Sequence, residues 1–216
     1  MKKALIIGAT GATGTALTKE LLLDDTYSEV HIFVRTPPET THPKLQIHQV
    51  NFDNIDSWEE KLTGDVLFSA MGTTLKVAGS KEIQYKIDVT YQYKAAKAAA
   101  ENKVSMLILV SSIGANHKSL VFYPKIKGIL EEMVKKLNFK SIYILRPPIL
   151  DRGKDKMRAT EKKSIAIINK LNKFGILQSQ KPMTTNFLAS KMIFLANKES
   201  SNLLTTLEAK ELFQLC

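Results

Sequence analysis

The sequence predicts a doubly wound α/β domain, a parallel sheet with helices on both faces. Two observations carry this expectation. Six short apolar runs, ALIIG, VHIFV, KLQIHQV, DVLFSAM, SMLILVSS and SIYILRP, alternate with helical patterns over the first two thirds of the chain, and such alternation builds βα units. The heptapeptide GATGATG at residues 8–14 then places three glycines at a three-residue interval between an apolar run and a helix-like segment. With 216 residues, 44% of them hydrophobic, the chain suffices for one substantial core and is short for two. One domain is expected over 1–216, with about 151–216 as a short variable extension on the substrate side.

Taken in order, Ala4-Leu5-Ile6-Ile7 reads as a short buried strand. The segment TALTKELLL after the glycines carries Leu17, Leu21 and Leu22 at helical spacing. Gly8, Gly11 and Gly14 thus bridge a strand to a helix N-terminus. Unpaired N–H groups and the positive end of the helix dipole point outward there, and a diphosphate can lie against them if no Cβ intervenes. A glycine-rich heptad is weak evidence alone, but in this context a dinucleotide is the expected ligand.

The second strand, VHIFV, ends in Arg35-Thr36, where an acidic residue would bind the ribose 2′-hydroxyl of NAD. A guanidinium pairs instead with the 2′-phosphate of NADP, so NADP is expected, with NAD as the alternative. Further on, SKEIQYKIDVTYQYKAAKAAAEN reads as one long amphipathic helix with Ile83, Ile87, Tyr91, Ala95 and Ala98 on its buried face.

Between the fifth and sixth strand runs lie VSSIG and Tyr123-Pro-Lys-Ile-Lys127. Four residues apart on a helix, Tyr123 and Lys127 share a face, and Pro124 is tolerated if the helix starts near Tyr123. An ammonium beside a phenol favours the phenolate, so the tyrosine can give a proton to a carbonyl oxygen as hydride arrives. Ser112, with Ser111 the weaker choice, is placed to hydrogen-bond the developing oxyanion. After Arg146-Pro147-Pro148 the pattern loosens. The charged stretch 151–163 reads as a mobile loop, a substrate lid or equally an ordinary surface loop, followed by helices at about 164–172 and 184–197 and a short terminal element.

Thirty-one Lys and Arg against 21 Asp and Glu give a formal charge of +10. The cations are dispersed over expected helix surfaces, so a nucleic-acid partner is not expected and the field suits an anionic cofactor. The four histidines and the single cysteine, Cys216, lack metal-ligand spacing, and no metal is expected. One cysteine excludes an internal disulfide and fits a reducing compartment. Gly8 interrupts the apolar run too early for a signal peptide, and no segment approaches the roughly 20 apolar residues of a membrane span. A cytoplasmic protein without a membrane is expected; a protein partner or homo-oligomer is left open.

GxxGxxG at Gly8, Gly11 and Gly14, the Ser-Ser strand end, Tyr123, Lys127 and RPPIL at 146–150 together resemble the short-chain dehydrogenase/reductase superfamily, with its Rossmann-like fold. MGTTLKVAGSKE (71–82), VSSIGAN (110–116) and LRPPILDR (145–152) resemble its small atypical branch, which includes the Tat-interacting oxidoreductases. The resemblance spans about residues 3–190. It implies diphosphate contacts from Gly8, Thr10, Gly11, Ala12 and Thr13, and a 2′-phosphate contact from Arg35. Asn51-Phe52 would stand near the adenine, where relatives have an acidic residue. Met71 and Gly72 would line the nicotinamide ribose, Lys127 would bond its hydroxyls, Leu150 would sit by the nicotinamide, and Arg158 would close over the phosphates. Asp88 stands where many larger relatives have Asn, and Pro148 replaces the common glycine after Arg-Pro.

The expected function is an NADP-preferring oxidoreductase that moves a hydride to or from a small carbonyl or alcohol substrate through Ser112, Tyr123 and Lys127. The alternative is a non-catalytic NADP(H)-binding redox sensor. A sugar-nucleotide epimerase or dehydratase would need a larger C-terminal segment than about 65 residues.

Overall fold

The computed structural model describes residues 1–151, 181–198 and 203–215. The six apolar runs form β1 (Lys2–Ile7), β2 (Tyr27–Val34), β3 (Leu45–Gln49), β4 (Val66–Ser69), β5 (Met106–Val110) and β6 (Ser141–Arg146). Two-residue strands β7 (Leu150–Asp151) and β8 (Met183–Thr184) pair separately, and β9 (Leu204–Glu208) joins the main sheet. That sheet is parallel throughout, in the order β3-β2-β1-β4-β5-β6-β9. The order reverses between β1 and β4, and in open parallel sheets ligands bind at the carboxyl ends of the strands beside such a reversal.

Successive side chains of β1 feed two cores, which is why the strand reads as a continuous apolar run rather than an alternating one. Ala4 and Ile6 join Leu17 and Leu21 of α1 (Ala12–Leu23) and the later helix residues Leu188 and Met192. Leu5 and Ile7 join Trp58, Ala95, Ile126 and Leu130 on the opposite face. Between β4 and β6 the chain forms α2 (Leu75–Ala78), α3 (Lys81–Tyr85), α4 (Tyr91–Glu101) and α5 (Phe122–Val134), and it ends in α6 (Thr185–Asn197) and α7 (Ala209–Gln214). The described C-terminal residues do more than flank the substrate side: α6 packs on α1, and β9 extends the sheet beside β6. The expected helix at 164–172 and most of the 151–163 loop lie outside the described residues.

The single amphipathic helix expected over the segment starting at Ser80 is corrected in register. Residues Lys86–Thr90 form a π turn between α3 and α4. A π turn takes more residues than an α turn and rotates the residues before it relative to those after it. Gln84, Asp88 and Gln92 therefore face inward while Ile83 is exposed. The inward row is polar because polar partners meet it: the Ser69 hydroxyl donates to Gln92 Oε1 at 2.8 Å, and Gln92 Nε2 donates to the Asp88 carbonyl at 2.7 Å.

Two of the three glycines at the β1–α1 turn answer to the protein itself. Gly8 adopts φ +82°, and a Cβ there would lie 2.5 Å from the Met71 amide nitrogen. A Cβ on Gly14 would collide with the Gly8 carbonyl and the Ala9 backbone. Strand, turn and helix thus close on one another and on the end of β4. Gly11 is different: a Cβ there lies 3.2 Å from the Gly8 carbonyl oxygen and otherwise faces outward.

At the far edge of the sheet, strand pairing unites two histidines whose sequence spacing suggests nothing. His31 Nδ1 lies 2.8 Å from His48 Nε2, and His31 Nε2 lies 2.7 Å from Glu29 Oε2. With both rings neutral, the assignment that satisfies both bonds has His48 Nε2–H donating to His31 and His31 Nε2–H donating to Glu29. His48 also stacks on Phe33, with centroids 4.8 Å apart. Burial, and then the neighbouring His31, Lys61 and Lys3, push the His48 pKa down to about 4; burial also lowers that of His31, against the pull of Glu29.

Two measurements check these constraints. Gly14→Ala should lower the melting temperature by about 5–10 °C, since backbone atoms must move by an overpacking cost of about 1–3 kcal/mol, whereas Gly11→Ala should stay within a few degrees of the parent; equal effects would refute the assignment. For the histidines, the unfolded chain takes up protons that the folded chain refuses below the ordinary value of 6.5. The stability present above that pH is lost as pH falls toward about 4. The drop in urea midpoint from pH 7 to pH 5 should shrink in His48→Phe, and an undiminished drop would exclude the pair as its source.

Candidate functional site

The turn that Gly8 and Gly14 compress sets the first turn of α1 at the sheet's carboxyl edge. Gly11 is the N-cap, and no side chain caps the helix there. The first-turn amides of a helix have no intrahelical acceptor, so those of Ala12 and Thr13 are available to an anion. Gly11, Ala12 and Thr13 border a cavity of about 570 Å³. Gly8 and Thr10 belong to the same turn, Gly8 as its packed pivot and Thr10 as an exposed residue.

Across the cavity stands α5, whose N-cap is Val121, so Tyr123 and Pro124 fall in its first turn, as the spacing requires. Tyr123 and Lys127 both border the cavity, the tyrosine partly exposed and the lysine almost wholly buried. The Lys127 ammonium is 3.3 Å from Asp88 Oδ1, and Asp88 has no exposed surface. Asp88 Oδ2 accepts the Thr73 amide at 2.9 Å. Oδ1 has no hydrogen-bond donor among the described residues; the ammonium meets it as an ion pair rather than along a hydrogen-bond direction. Burial works against the charge of Lys127, but the fields of Tyr123, Asp88 and Glu131 outweigh burial and hold its pKa above the ordinary lysine value. Gly72 packs directly on this pair: a Cβ there would stand 3.3 Å from Asp88 Oδ1 and 3.8 Å from Lys127 Nζ. Met71 lies beside it on the cavity wall.

The geometry separates the two serines that come after β5. Ser111 is buried, and its hydroxyl donates to Glu131 Oε1 at 2.5 Å. Glu131 in turn receives Arg146 through Nε at 3.0 Å and Nη2 at 2.5 Å, while Arg146 Nη1 reaches Glu208 at 2.7 Å. Ser112 borders the cavity, and among the described residues its hydroxyl makes only a 3.3 Å bond to the Ile113 carbonyl. Of the two, Ser112 has the hydroxyl free to meet a ligand.

Other expected residues are more scattered. Arg35 is exposed one residue past the end of β2, and its carbonyl accepts from Gln49 Nε2. Asn51 is exposed but spends its side chain on the Asp53 amide and its carbonyl on the Trp58 indole. The Phe52 ring is buried, packed edge-on against Trp58 with centroids 5.3 Å apart, which leaves the Phe52 backbone, not the ring, to face any ligand beyond the strand end. Leu150 lines the cavity with Pro147, Pro148 and Ile149. Arg158 lies outside the described residues. Sequence reasoning missed Thr73 and Gln84 on the wall and the ion pair of Asp88; the signal was the polar spacing Gln84, Asp88, Gln92. Among the described residues no group of His, Cys, Asp and Glu has the geometry to hold a metal ion, and no helix is long and apolar enough to cross a membrane.

Comparison with known proteins shows the fold and the family. The chain is similar to the protein FMP52, mitochondrial, of Eremothecium gossypii, with 35% identity over 149 residues, 68% of this chain and 66% of that protein. It is similar also to the protein fmp52, mitochondrial, of Aspergillus niger, with 33% identity over 168 residues, 74% of this chain and 72% of that protein. The matched stretch thus spans about two thirds of the length of these relatives. Their names overturn the expected cytoplasmic placement, which rested on cysteine usage and the absence of a signal peptide. Among solved structures, MoeE5 in complex with UDP-glucuronic acid and NAD superimposes with a TM-score of 0.71 at 13% identity, covering 95% of this chain and 76% of that one. UDP-glucuronic acid 4-epimerase from Bacillus cereus in complex with NAD gives 0.68 at 15%, covering 97% and 78%. At such identities the likeness is one of fold. Residues 8–165, from the glycine turn past β6, match the model of the NAD(P)H-binding family, and the chain belongs to that family.

Proposed function

We propose that this protein is an NADP-preferring oxidoreductase of the atypical short-chain dehydrogenase/reductase kind, the branch that includes the Tat-interacting oxidoreductases, acting on a small carbonyl or alcohol. One observation carries the reading: Ser112, Tyr123 and Lys127 border the same cavity as the uncapped first turn of α1. The Ala12 and Thr13 amides hold the diphosphate, with Gly8, Thr10 and Gly11 shaping the turn, the Gly11 amide being spent on the Gly8 carbonyl at 3.0 Å. Arg35 pairs with the 2′-phosphate, and Asn51 borders the adenine. Met71, Gly72 and Leu150 flank the nicotinamide and its ribose.

When bound, the reduced dinucleotide supplies a hydride. Ser112 donates a hydrogen bond to the carbonyl oxygen, and Tyr123 gives that oxygen a proton through its hydroxyl as negative charge develops there. Lys127 favours the tyrosinate left behind and bonds the ribose hydroxyls. Asp88 opposes part of that effect, since its carboxylate sits 3.3 Å from the same ammonium. That ion pair favours a second reading, a regulator that holds the cofactor with little or no turnover.

NADPH should bind about 10- to 100-fold more tightly than NADH, the equivalent of one charge-assisted bond of about 1.5–3 kcal/mol, and Arg35→Asp should reverse the order. Equal affinities in calorimetry would remove the case for Arg35. In a screen of NADPH oxidation over aldehydes, ketones and quinones, Tyr123→Phe should keep cofactor affinity and lose roughly 10²-fold or more in turnover; Lys127→Met should impair both. Turnover by Tyr123→Phe at the parental rate would make Tyr123 structural, and firm cofactor binding with no substrate would favour the regulator.

A further inference from the structure

The cavity wall carries groups of different character. The first turn of α1 presents backbone amides, Ser112, Tyr123 and Lys127 border it, and Leu75, Ile113, Val121, Phe122, Pro148 and Ile149 give it an apolar part beside Thr73, Thr74 and Gln84. Among the described lining residues Lys127 is the one charged side chain, and Asp88 already neutralises it. Several of the apolar residues stand in water: Leu75 is 45% exposed, Ile113 38% and Val121 64%. The neighbouring Val77 and Leu120 are exposed as well. Isolated exposed aliphatics are ordinary, but a group of them ringing one opening marks a surface that is covered when a ligand is bound. They come from three separate places, α2, the loop after β5 and the start of α5, yet converge on the same mouth.

We infer that the substrate is an uncharged carbonyl compound with an apolar alkyl or aryl body, which this collar grips while the carbonyl reaches Ser112 and Tyr123. The inference rests on the oxidoreductase reading above and narrows it. The reaction is a two-electron reduction: the carbonyl carbon gains a hydride from the reduced nicotinamide, its oxygen gains the Tyr123 proton, and the products are an alcohol and the oxidised dinucleotide, with the tyrosine reprotonated from water. A carboxylate or diphosphate on the substrate body would be stripped of water among Leu75, Ile113 and Val121, where the described lining residues offer no unpaired cation to compensate. Lys81, whose ammonium lies 5.5 Å from the Phe122 ring centroid, is a rival anchor for an anion. The residues between Asp151 and Lys181 take no part in the inference.

The test uses the full chain with NADPH and straight-chain aldehydes from propanal to decanal, each longer member paired with its ω-carboxylate, and UDP-glucose and UDP-glucuronic acid as further arms. The expected result is kcat/KM rising about fourfold per added methylene, the fold-change matching about 0.8 kcal/mol, until the cavity is filled, with at least a tenfold loss for each ω-carboxylate. Ile113→Asp and Val121→Asp change exposed positions, so both should fold; they should flatten the chain-length dependence while leaving the affinity for NADPH as it was. A flat series, a preference for the carboxylates, or turnover of a sugar nucleotide in place of the aldehydes overturns the inference. If no aldehyde is turned over, calorimetry of the matching alcohols with free and NADP-loaded protein decides. Affinity that grows with chain length and is lost in Ile113→Asp upholds the apolar site and counts only against the oxidoreductase reading; affinity independent of length overturns the inference. Failure to bind NADPH would sink the oxidoreductase reading separately.

Discussion

A buried ammonium is the constraint on which the arrangement of this site depends. Lys127 is almost without exposed surface, and a charge so placed is costly unless it is paired. Three segments distant in sequence supply its surroundings: the turn after β4 through Gly72 and Thr73, the π turn through Asp88, and α5 through Tyr123 and Glu131. Breaking one of them leaves a charge in the protein interior, so each holds the others in place. Such pairs add little net stability compared with apolar packing of equal volume. Here, moreover, Asp88 Oδ1 lacks a hydrogen-bond donor among the described residues. A fold selected for stability alone has no use for it, and its position beside Ser112 and Tyr123 on one cavity gives it a use.

The sheet explains why these segments meet. Every strand of the main sheet runs the same way, so the turns that leave the carboxyl ends of β1, β4, β5 and β6 all emerge on one edge. The glycine turn contributes amides, the turn after β4 contributes Gly72, the loop after β5 contributes Ser112, and the turn after β6 contributes Pro147 and Pro148. Both sheet faces are buried, which fixes the strands in register and leaves the edge as the place where sequence can vary without exposing core.

The frame is legible in the sequence because continuous apolar strands and a 3.6-residue repeat are direct products of burial. All six strand runs are strands, and Tyr123 with Lys127 lies on the first turns of a helix as their spacing demands. The features that escape a linear reading depend on partners that a linear pattern does not display. Gly8 and Gly14 look like ligand contacts, whereas the atoms they make room for belong to Met71, Ala9 and the turn itself. The helix before α4 reads by its apolar residues, but the inward face there is Gln84 and Asp88, polar residues that only Thr73 and Lys127 make tolerable in the interior. The Phe52 ring packs edge-on against Trp58, a contact that no linear pattern displays. His31 and His48 sit on adjacent strands, and strand pairing, not spacing, brings them together.

The two serines show how a neighbouring charge network can separate identical side chains. Glu131 lies one helical turn beyond Lys127 on the same face of α5, so a second buried carboxylate succeeds the ammonium along the helix. Arg146 meets it with two hydrogen bonds from the end of β6 and bonds Glu208 at the end of β9 with a third. Its pKa is raised above the usual guanidinium value by the Glu131 bonds first, and by Glu208 after burial has taken its part back. Ser111 completes the coordination of Glu131 and is fixed by it. This ties the ends of β5, β6 and β9 to α5 behind the cavity wall. Ser112, the next residue, borders the cavity from the same strand end, so the backbone that Ser111 holds in place also carries Ser112. The ion pairs behind the wall therefore anchor the strand end that carries the Ser112 hydroxyl in front of it.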